Sequence, residues 1–514
     1  MKQRLALGHQ EFSKVIENKC IYVDKTQQIY ELVSKGEYFF FSRPRRFGKS
    51  LLCNTIKEVF LGNKELFKGL WIYDKWDWET KIPVLKISFA SVFHNTLGLE
   101  PAINQQLRII SEELNIELTE DSYTAKFVEL IKKMATKNKV AIIIDEYDKP
   151  IIDHIDNLEM AEKNREILQN FYSGIKDADS YIRFFFVTGV SKFSKVSIFS
   201  KLNNLIDISM DNRYSNIVGW TEKEVTDYFP DYISDIGERF KDYFPDIMKH
   251  IRGWYNGYSW DGVTSVYNPV SLMNLFQKQD FRNYWFETGT PTFLMKLIKQ
   301  NKYTAFDIEN TTVSSKFLDK YEINEITLIA LLFQTGYLTI KKYDIISGDI
   351  TLDYPNREVA DAFSTHILAK LSDTPVDKTD NLLYRIRRSF LENEIEDFIE
   401  YINTLFANIP YNLIENKEKY FHSQFYLIMK IIGYIIDVEV LTIKGRIDAV
   451  IRTDDNIFIL EFKINQSARK AIEQINEKQY AQKYKDDNRK INILGINYDT
   501  EKKLIDDYIL EILP

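Results

Sequence analysis

Two short motifs in the first third of the chain carry the residue types that phosphate chemistry requires. Residues 42–50 (SRPRRFGKS) join an apolar run to a helical pattern, and residues 140–146 (VAIIIDE) form an apolar run that ends in two acids. A Gly-Lys-Ser at a strand-to-helix turn lets the backbone, the helix N-terminal amides and the lysine meet phosphate charge. We therefore predict an ATP site in which Lys49 contacts the β- and γ-phosphates and Ser50 is a ligand of Mg²⁺.

The acids of the second motif have separate predicted roles. Asp145 orients the Mg²⁺ shell, and Glu146 polarises the attacking water as the general base. A pair of acids that caps the next element is the alternative interpretation. Residues 182–189 (IRFFFVTG) form another apolar run and place Thr188 where it could sense the γ-phosphate, although a structural turn is a rival explanation there. Together these features predict nucleotide binding.

The phosphate loop departs from the general pattern at one position. Arg43 stands where the first glycine is usual, and Arg45 and Arg46 follow it. These arginines could face bound phosphates or a neighbouring subunit, and the spacing does not decide between the two. The predicted nucleotide contacts are Arg43, Arg46, Phe47, Gly48, Lys49, Ser50 and Leu51.

Three residues near the C-terminus could form a site for a hard cation. Glu461 and Lys463 lie two positions apart in the apolar run 457–464, and Asp448 lies in the preceding run 446–452. Residues i and i+2 of a strand share a face, so Glu461 and Lys463 converge and Asp448 can join them. We predict that Asp448 and Glu461 bind Mg²⁺ or Mn²⁺ for phosphodiester hydrolysis, with Lys463 orienting the water. Alternating charge on an exposed strand is the alternative, but unpaired charge is costly in an apolar run.

The length and periodicity predict the elements that position these residues. A chain of 514 residues is too long for one core. Strand candidates at 38–41, 84–89, 140–144 and 182–188 alternate with helical patterns, which predicts an α/β domain: a parallel sheet with helices on both faces. We expect a mainly helical lid or coupling region next, and then a C-terminal α/β domain. The latter has strand candidates at 436–442, 446–452, 457–464 and 491–498 and a helix at 468–485. The expected domains are 1–215, 216–375 and 376–514.

Longer motifs resemble the bacterial AAA-ATPase-like family. They are residues 22–26 (YVDKT), 42–51 (SRPRRFGKSL), 144–150 (IDEYDKP), 188–200 (TGVSKFSKVSIFS) and 202–205 (LNNL). The resemblance implies an AAA-like P-loop NTPase fold and an arginine at position 43 of a variant loop. It also implies a C-terminal PD-(D/E)XK nuclease-superfamily domain with a restriction-endonuclease-like fold.

The C-terminal residues fit that implication. The spacing from Asp448 to Glu461 and Lys463 is similar to the PD-(D/E)XK core. The helix that carries Gln474, Tyr480 and Tyr484 resembles the glutamine-and-tyrosine helix of the subgroup related to recombination exonucleases. The resemblance therefore implies that Gln474 joins the catalytic set. Glu439 and His422 are further candidates for a metal or supporting contact.

Composition limits the function classes. The net charge of −8 argues against a protein that coats nucleic acid with its whole surface, but it allows a local basic groove. Residues 411–490 hold slightly more Lys and Arg than Asp and Glu, which fits either a nucleic-acid backbone or a solvated helix face. Cys20 and Cys53 form no CxxC or Cys/His cluster, so neither a disulfide framework nor a zinc site is expected. No apolar run is long enough to cross a bilayer, and we expect a cytoplasmic protein without membrane contact.

Two functions follow from these features. In the first, ATP binding or hydrolysis controls a Mg²⁺-dependent nuclease that acts on nucleic acid. In the second, the ATPase is a signalling or interaction switch whose C-terminal fold binds nucleic acid or a partner without cleaving. Retention of Asp448, Glu461 and Lys463 together favours the first. The oligomeric state, including a homo-oligomer, stays open.

Overall fold

The computed structural model describes most of the chain as two compact units. The described residues are 2–90, 97–154, 157–192, 198–199, 201–285, 308, 311–314, 327–372, 374–407, 425, 427–429, 431, 437–443, 446–452, 455–485 and 487–513, with only the backbone described at 371, 437–443, 446–448 and 483. The first unit comprises described residues of Met1–Thr288 and Thr311–Asn356, and the second comprises those of Gly289–Asn310 and Arg357–Pro514. Among the described residues, we find no helix with the length and apolar character needed to cross a membrane.

A five-stranded parallel sheet forms the centre of the first unit. Its strand order is β2-β3-β4-β1-β5, and every neighbouring pair is parallel. The strands are β1 (Tyr38–Ser42), β2 (Val84–Ser88), β3 (Val140–Asp145), β4 (Ile182–Gly189) and β5 (Leu205–Asp207). Since parallel strands end at the same edge, this order brings together the two predicted phosphate motifs and the end of β4.

Helices cover both faces of this sheet, as the alternation predicts. They include α1 (Phe12–Glu17), α2 (Thr26–Lys35), α3 (Lys49–Phe60), α4 (Leu99–Glu113), α5 (Tyr123–Met134), α6 (Lys149–Ile152) and α7 (Leu158–Asp177). Helices α4, α5 and α7 join the core on one face, where the ring of Phe185 lies 5.5 Å from that of Tyr38. Phe184, the preceding residue of β4, points to the opposite face, and its ring centre lies 5.1 Å from that of Phe60 in α3.

The rest of the first unit combines helices with a small sheet. The helices are α8 (Glu222–Tyr228), α9 (Pro230–Arg239), α10 (Ile247–Tyr255), α11 (Pro269–Lys278) and α12 (Leu328–Thr335), and the strands are β6 (Thr311–Ser314), β7 (Thr339–Tyr343) and β8 (Asp349–Asp353). The order β6-β8-β7 is antiparallel. We did not predict these strands because they are short: β6 and β7 lack a clear apolar alternation, and the alternation of β8 extends over only five residues.

A mixed five-stranded sheet forms the centre of the second unit. Its order is β13-β12-β11-β10-β9, with β11 and β12 parallel and the other pairs antiparallel. The strands are β9 (Asp437–Ile443), β10 (Arg446–Arg452), β11 (Asn456–Ile464), β12 (Lys490–Asp499) and β13 (Leu504–Ile512), and the helices are α13 (Arg357–Leu371), α14 (Val376–Leu391), α15 (Ile395–Ala407) and α16 (Ala468–Glu477). Helices α14 and α15 pack on one face, and α16 packs on the other.

Two expectations for this unit need correction. The predicted helix 468–485 ends at Glu477, because Gln479 takes a left-handed conformation (φ 54°) and a 3₁₀ turn, Tyr480–Tyr484, follows. Tyr480 and Tyr484 are therefore not on the helix that carries Gln474. The edge strand β13 was not predicted; only Ile505 is buried in it, and the rest of its side chains are partly buried or exposed.

Candidate functional site

The predicted phosphate loop lies between β1 and α3, at the carboxyl edge of the parallel sheet. Arg46 (φ 71°) and Gly48 (φ 93°) have left-handed backbones, and a Cβ added at Gly48 would meet no described atom within 4 Å. The loop is therefore open where a phosphate would approach the helix N-terminus. The Lys49 ammonium donates to the carbonyls of Arg43 (2.9 Å) and Pro44 (3.0 Å), so the loop curls around the lysine.

Lys49 and three acids occupy one electrostatic neighbourhood. Burial lowers the pKa of Lys49, and the charges of Asp145, Glu146 and Asp148 oppose that shift. Burial raises the pKa of Glu146, an effect that the charge of Lys49 opposes. Glu146 also has a left-handed backbone (φ 55°), which costs a non-glycine residue about 1–3 kcal/mol and is common at functional sites.

Asp145 and Thr188 end two neighbouring strands and contact each other inside the protein. Asp145 is 3 % exposed and Thr188 is fully buried, and the Thr188 hydroxyl donates to Oδ1 of Asp145 at 2.8 Å. Neither residue is among the described residues that line the adjacent cavity. The predicted γ-phosphate contact of Thr188 thus has no counterpart in its described contacts. Its hydroxyl orients Asp145 instead.

A second acid, Asp148, fixes the segment that follows β3. Its carboxylate accepts hydrogen bonds from the amides of Val190 (3.1 Å) and Ser191 (2.6 Å) and from the Ser191 hydroxyl (2.7 Å). Burial raises the pKa of Asp148, and these hydrogen bonds oppose the shift. Gly189 lies so close that an added Cβ would be 2.5 Å from the Tyr147 ring. Hydrogen bonds and close packing therefore hold the segment after β3, which contains Glu146, against the segment after Thr188.

Arg43 does not reach the cavity by its side chain. It is 1 % exposed, and its guanidinium donates to backbone carbonyls of Ser209 and Tyr214. It is not among the described residues that line the cavity, so its side chain lies away from the place where the predicted nucleotide contact would be made. Exposed Arg45 and Arg46, by contrast, line it. Inside the protein, carbonyls accept from the terminal nitrogens of Arg43 and aromatic rings stack on it, while Nε has no hydrogen-bond partner among the described residues.

A cavity of about 400 Å³ lies over the loop, within the range of small-ligand sites. One wall holds residues 45–51 with Glu146 and Asp148, which includes every predicted nucleotide contact except Arg43. The opposite wall is largely apolar and contains residues 8–10, 21–23, 217–220, 269–270 and 273. We did not predict that wall, because its segments are far apart in the sequence and have no phosphate-binding residue types.

Lys25 is a charged member of this second wall. It is 6 % exposed, and its ammonium lies 2.6 Å from Oε1 of Glu224 in α8. Burial lowers the pKa of Lys25, and the charge of Glu224 opposes that shift. Asp24, its neighbour, accepts from the amide of Thr26 at 2.8 Å and from that of Trp71 at 2.7 Å. The motif at residues 22–26 therefore anchors α2 beside the cavity, a role that the sequence alone did not suggest.

The second unit holds the predicted carboxylate centre on β10 and β11. The strand register pairs Asp448 with Glu461, and directly paired residues share a face of the sheet. Glu461 is fully buried and Lys463 is 7 % exposed. The Lys463 ammonium donates to Oε1 of Glu461 and, at 2.6 Å, to Oε1 of Gln474. The structure thus brings together Glu461, Lys463 and Gln474.

Gln474 reaches this centre because α16 packs very close to the sheet. Gly495, the register partner of Glu461 on β12, has no room for a side chain: an added Cβ would be 2.5 Å from the carbonyl oxygen of Ala468. The helix start is fixed as well, since the Ala468 amide donates to Asp507 at 2.8 Å. A larger residue at 495 would move the helix and with it Gln474.

One described oxygen of this centre, Oε2 of Glu461, could bind a hard divalent cation. Oε2 of Glu461 and Nε2 of Gln474 are buried and have no hydrogen-bond partner among the described residues. A buried carboxylate oxygen without a partner is costly, and a metal ion would satisfy it. Among the described side chains, no three His, Cys, Asp or Glu lie close enough to hold a metal; the side chains of Asp448 and Glu439 are not described, and His422 lies outside the described residues.

Comparisons with known proteins agree with the two units. Residues 6–199 match the family model described as "Predicted AAA-ATPase", and residues 416–508 match the PD-(D/E)XK nuclease superfamily. The whole chain is similar to an uncharacterized protein from the vnfD 5′ region of Azotobacter chroococcum mcd 1, with 38% identity over 527 residues that cover 100% of this chain and 99% of that protein. The chain therefore belongs to the AAA-ATPase-like family and carries a C-terminal domain of the PD-(D/E)XK nuclease superfamily.

Proposed function

We propose that the first unit binds and hydrolyses ATP in the cavity over the phosphate loop. The observation that carries the proposal is one cavity with an open Gly-Lys-Ser turn, a strained acid and an apolar wall. The triphosphate would lie along residues 46–50, near the helix N-terminus and Lys49. The base would lie toward residues 21–23 and 217–220, where apolar contacts suit an aromatic ring.

The residues of this site have distinct roles in the proposed hydrolysis. When ATP binds, the Lys49 ammonium would exchange the two loop carbonyls that it now contacts for negatively charged phosphate oxygens. Glu146 accepts a proton from the water that attacks the γ-phosphate. Ser50 would hold Mg²⁺, which would neutralise phosphate charge when bound, and Asp145, which is not among the described residues of the cavity lining, would orient the Mg²⁺ shell. Thr188 keeps the Asp145 carboxylate oriented.

Two variants test the ATPase proposal. Lys49→Ala is expected to abolish ATP binding, whereas Glu146→Gln is expected to bind ATP and not turn it over. Binding is measured by titration calorimetry and hydrolysis by phosphate release. Lys57→Ala, on the same helix but partly exposed, is the matched control and should behave like the wild type. Unchanged hydrolysis in both site variants would refute the assignment.

We propose that the second unit cleaves nucleic-acid phosphodiesters with Mg²⁺ or Mn²⁺. Asp448 and Glu461 would hold the metal, which lowers the pKa of water and offsets phosphate charge when bound. Lys463 orients the attacking water or stabilises the charge that grows on the phosphate. Gln474 holds the Lys463 ammonium. The support is the buried Oε2 of Glu461, which has no hydrogen-bond partner among the described residues, beside a lysine that donates to both Glu461 and Gln474.

Cleavage of a panel of DNA and RNA, single and double stranded, tests this centre. Cleavage should require Mg²⁺ or Mn²⁺, stop with a chelator and be lost in Lys463→Ala. Lys470→Ala, on the exposed side of α16, is the matched control. Equal cleavage by wild type and Lys463→Ala would mean a contaminating nuclease or a different centre.

We further propose that nucleotide state controls cleavage. Rates measured with ATP, ADP and a non-hydrolysable ATP analogue should differ in the wild type and coincide in Lys49→Ala. If the wild type cleaves nothing with or without ATP, yet binds nucleic acid or a partner in a nucleotide-dependent way, the protein is a switch. Analytical ultracentrifugation of both nucleotide states would give the oligomeric state.

A further inference from the structure

We infer that Arg43 is a positioning residue that holds the phosphate loop from behind, against a group of residues that we call the loop clamp: Tyr258, Trp260, Trp285 and Gly336. The inference rests on the proposed ATP site and adds a role for the middle of the chain in nucleotide affinity. Arg43 occupies the position where a glycine is usual, and in this role its side chain anchors the loop from inside the protein and does not contact phosphate. Arg43 and all four residues of the loop clamp belong to the first unit.

The guanidinium of Arg43 is held on several sides. One terminal nitrogen donates to the carbonyls of Ser42 (2.9 Å) and Ser209 (2.5 Å), and the other donates to Tyr214 (3.4 Å). The guanidinium carbon lies 4.0 Å from the centre of the Trp260 ring. Charged hydrogen bonds and a desolvated cation–π contact are strong individually, so the start of the loop cannot shift without breaking several of them.

Arg43 keeps its charge in this buried position. Burial lowers its pKa to about 9, while the carboxylates of Asp207 and Asp261 oppose that shift. The side chain is therefore a cation at neutral pH, as stacking on Trp260 and donation to carbonyls require. A lysine could supply the charge but not the planar fork or the stacked plane.

The rest of the loop is anchored by the same clamp. Phe47 is 1 % exposed, and its ring lies 4.7 Å from Tyr258 and 5.3 Å from Trp260 in edge-to-face geometry. Pro44 packs closely on Gly336: a Cβ added at Gly336 would lie 2.5 Å from the pyrrolidine ring of Pro44.

The main chain of the loop is held as well. The carbonyl of Arg45 accepts from the indole of Trp285 at 3.1 Å. The loop is thus fixed on the side away from the cavity, while Gly48 stays open toward it.

This arrangement preorganises the loop for phosphate. A loop that is already in its binding conformation loses less entropy when the ligand binds, so the anchors raise affinity without touching the nucleotide. Damage to the clamp should therefore raise the Kd for ATP, with a smaller effect on turnover at saturating ATP. A contact with the reacting phosphate would instead lower turnover itself.

Arg43→Gly tests the inference directly, because it restores the glycine of the general pattern. We expect the Kd for MgATP to rise about 10- to 100-fold, the size expected for losing a charged hydrogen-bonded anchor. Turnover at saturating ATP should fall less than the affinity. Arg43→Lys and Trp260→Leu should weaken binding in the same direction, and either one serves if Arg43→Gly does not fold. Arg239→Lys, an exposed arginine outside the loop, is the control.

The outcomes separate the inference from the function on which it rests. If the wild type does not bind MgATP, the proposed ATP site fails and this role fails with it. If the wild type binds and the folded Arg43→Gly variant binds as tightly or more tightly, only the anchoring role is overturned. A variant that lowers turnover while leaving the Kd unchanged would also overturn it, since that pattern belongs to a catalytic contact.

Discussion

Replacing Lys463 with methionine should strongly destabilise the second unit in the absence of metal. Methionine keeps much of the buried aliphatic volume but removes the ammonium that contacts the fully buried Glu461. The carboxylate is then left in the interior, where Oε2 has no hydrogen-bond partner among the residues that the structure describes. Removing one member of a buried ion pair costs about 3–5 kcal/mol, because the remaining charge is neither solvated nor paired.

The expected cost can be measured separately for this unit. All seven tryptophans lie between Trp71 and Trp285, so their fluorescence follows the first unit, whereas far-UV ellipticity follows both. With a urea m value of about 2–3 kcal/mol/M, Lys463→Met should lower the midpoint of the tryptophan-silent transition by about 1–2.5 M. The fluorescence transition should stay where it is in the wild type.

A double variant separates the charge effect from lost packing. Glu461→Gln removes the charge that Lys463 neutralises, so the Glu461→Gln/Lys463→Met protein should be less destabilised than the sum of the two single variants. Additive losses in this cycle, or a Lys463→Met protein with the wild-type midpoint, would contradict the reasoning. Either result would mean that Glu461 is protonated or hydrated in the folded protein.

Three further predictions use other features of the two sites. Mg²⁺ should stabilise the second unit by about 2.7 kcal/mol at a hundred times its Kd, measured as a shift of the tryptophan-silent urea transition, and no shift at any concentration would contradict a metal site at Glu461. Because burial raises the pKa of Glu146, its carboxylate takes up a proton as pH falls through that raised value, so the acid limb of ATP turnover should lie at higher pH than an ordinary glutamate gives; a limb at the ordinary value would argue against Glu146 as the base. Gly495→Ala should cost about 1–3 kcal/mol by the same urea assay and reduce nucleic-acid cleavage, because the new methyl would push α16, and Gln474 with it, away from Lys463; wild-type stability would show that the helix adjusts freely.

Local pattern was enough to predict the principal strands and the order of the chemical motifs. The parallel strands β1 to β4 and the strands β9 to β12 agree with the predicted runs to within one residue at either end. Strands β1, β3, β4, β11 and β12 are buried on both faces, so they read as apolar runs, and runs of this kind are visible without tertiary information. The pairing of Asp448 with Glu461 also follows from local pattern, because the two runs are joined by a short connection.

Positions that depend on distant contacts could not be predicted. The sequence leaves open whether Arg43 faces phosphate or another subunit, but the carbonyl of Ser209 and the ring of Trp260 hold its side chain in the interior, which the sequence did not suggest. Thr188 has the right place at a strand end, but its hydroxyl is used by Asp145 on the neighbouring strand. In each case the partner is far away in the sequence and contributes no local periodicity.

The sequence by itself therefore determined which residues can do chemistry and which strands carry them, because strand alternation and strand-to-helix turns are properties of neighbouring residues. Only the tertiary structure decided what those residues meet. It built the second wall of the cavity from segments as distant as Ile21 and Met273, and it gave Lys463 two acceptors, Glu461 and Gln474. Long-range packing decides whether a side chain is buried and which charges surround it. An arginine at position 43 can therefore be a ligand contact in one environment and an internal anchor in another.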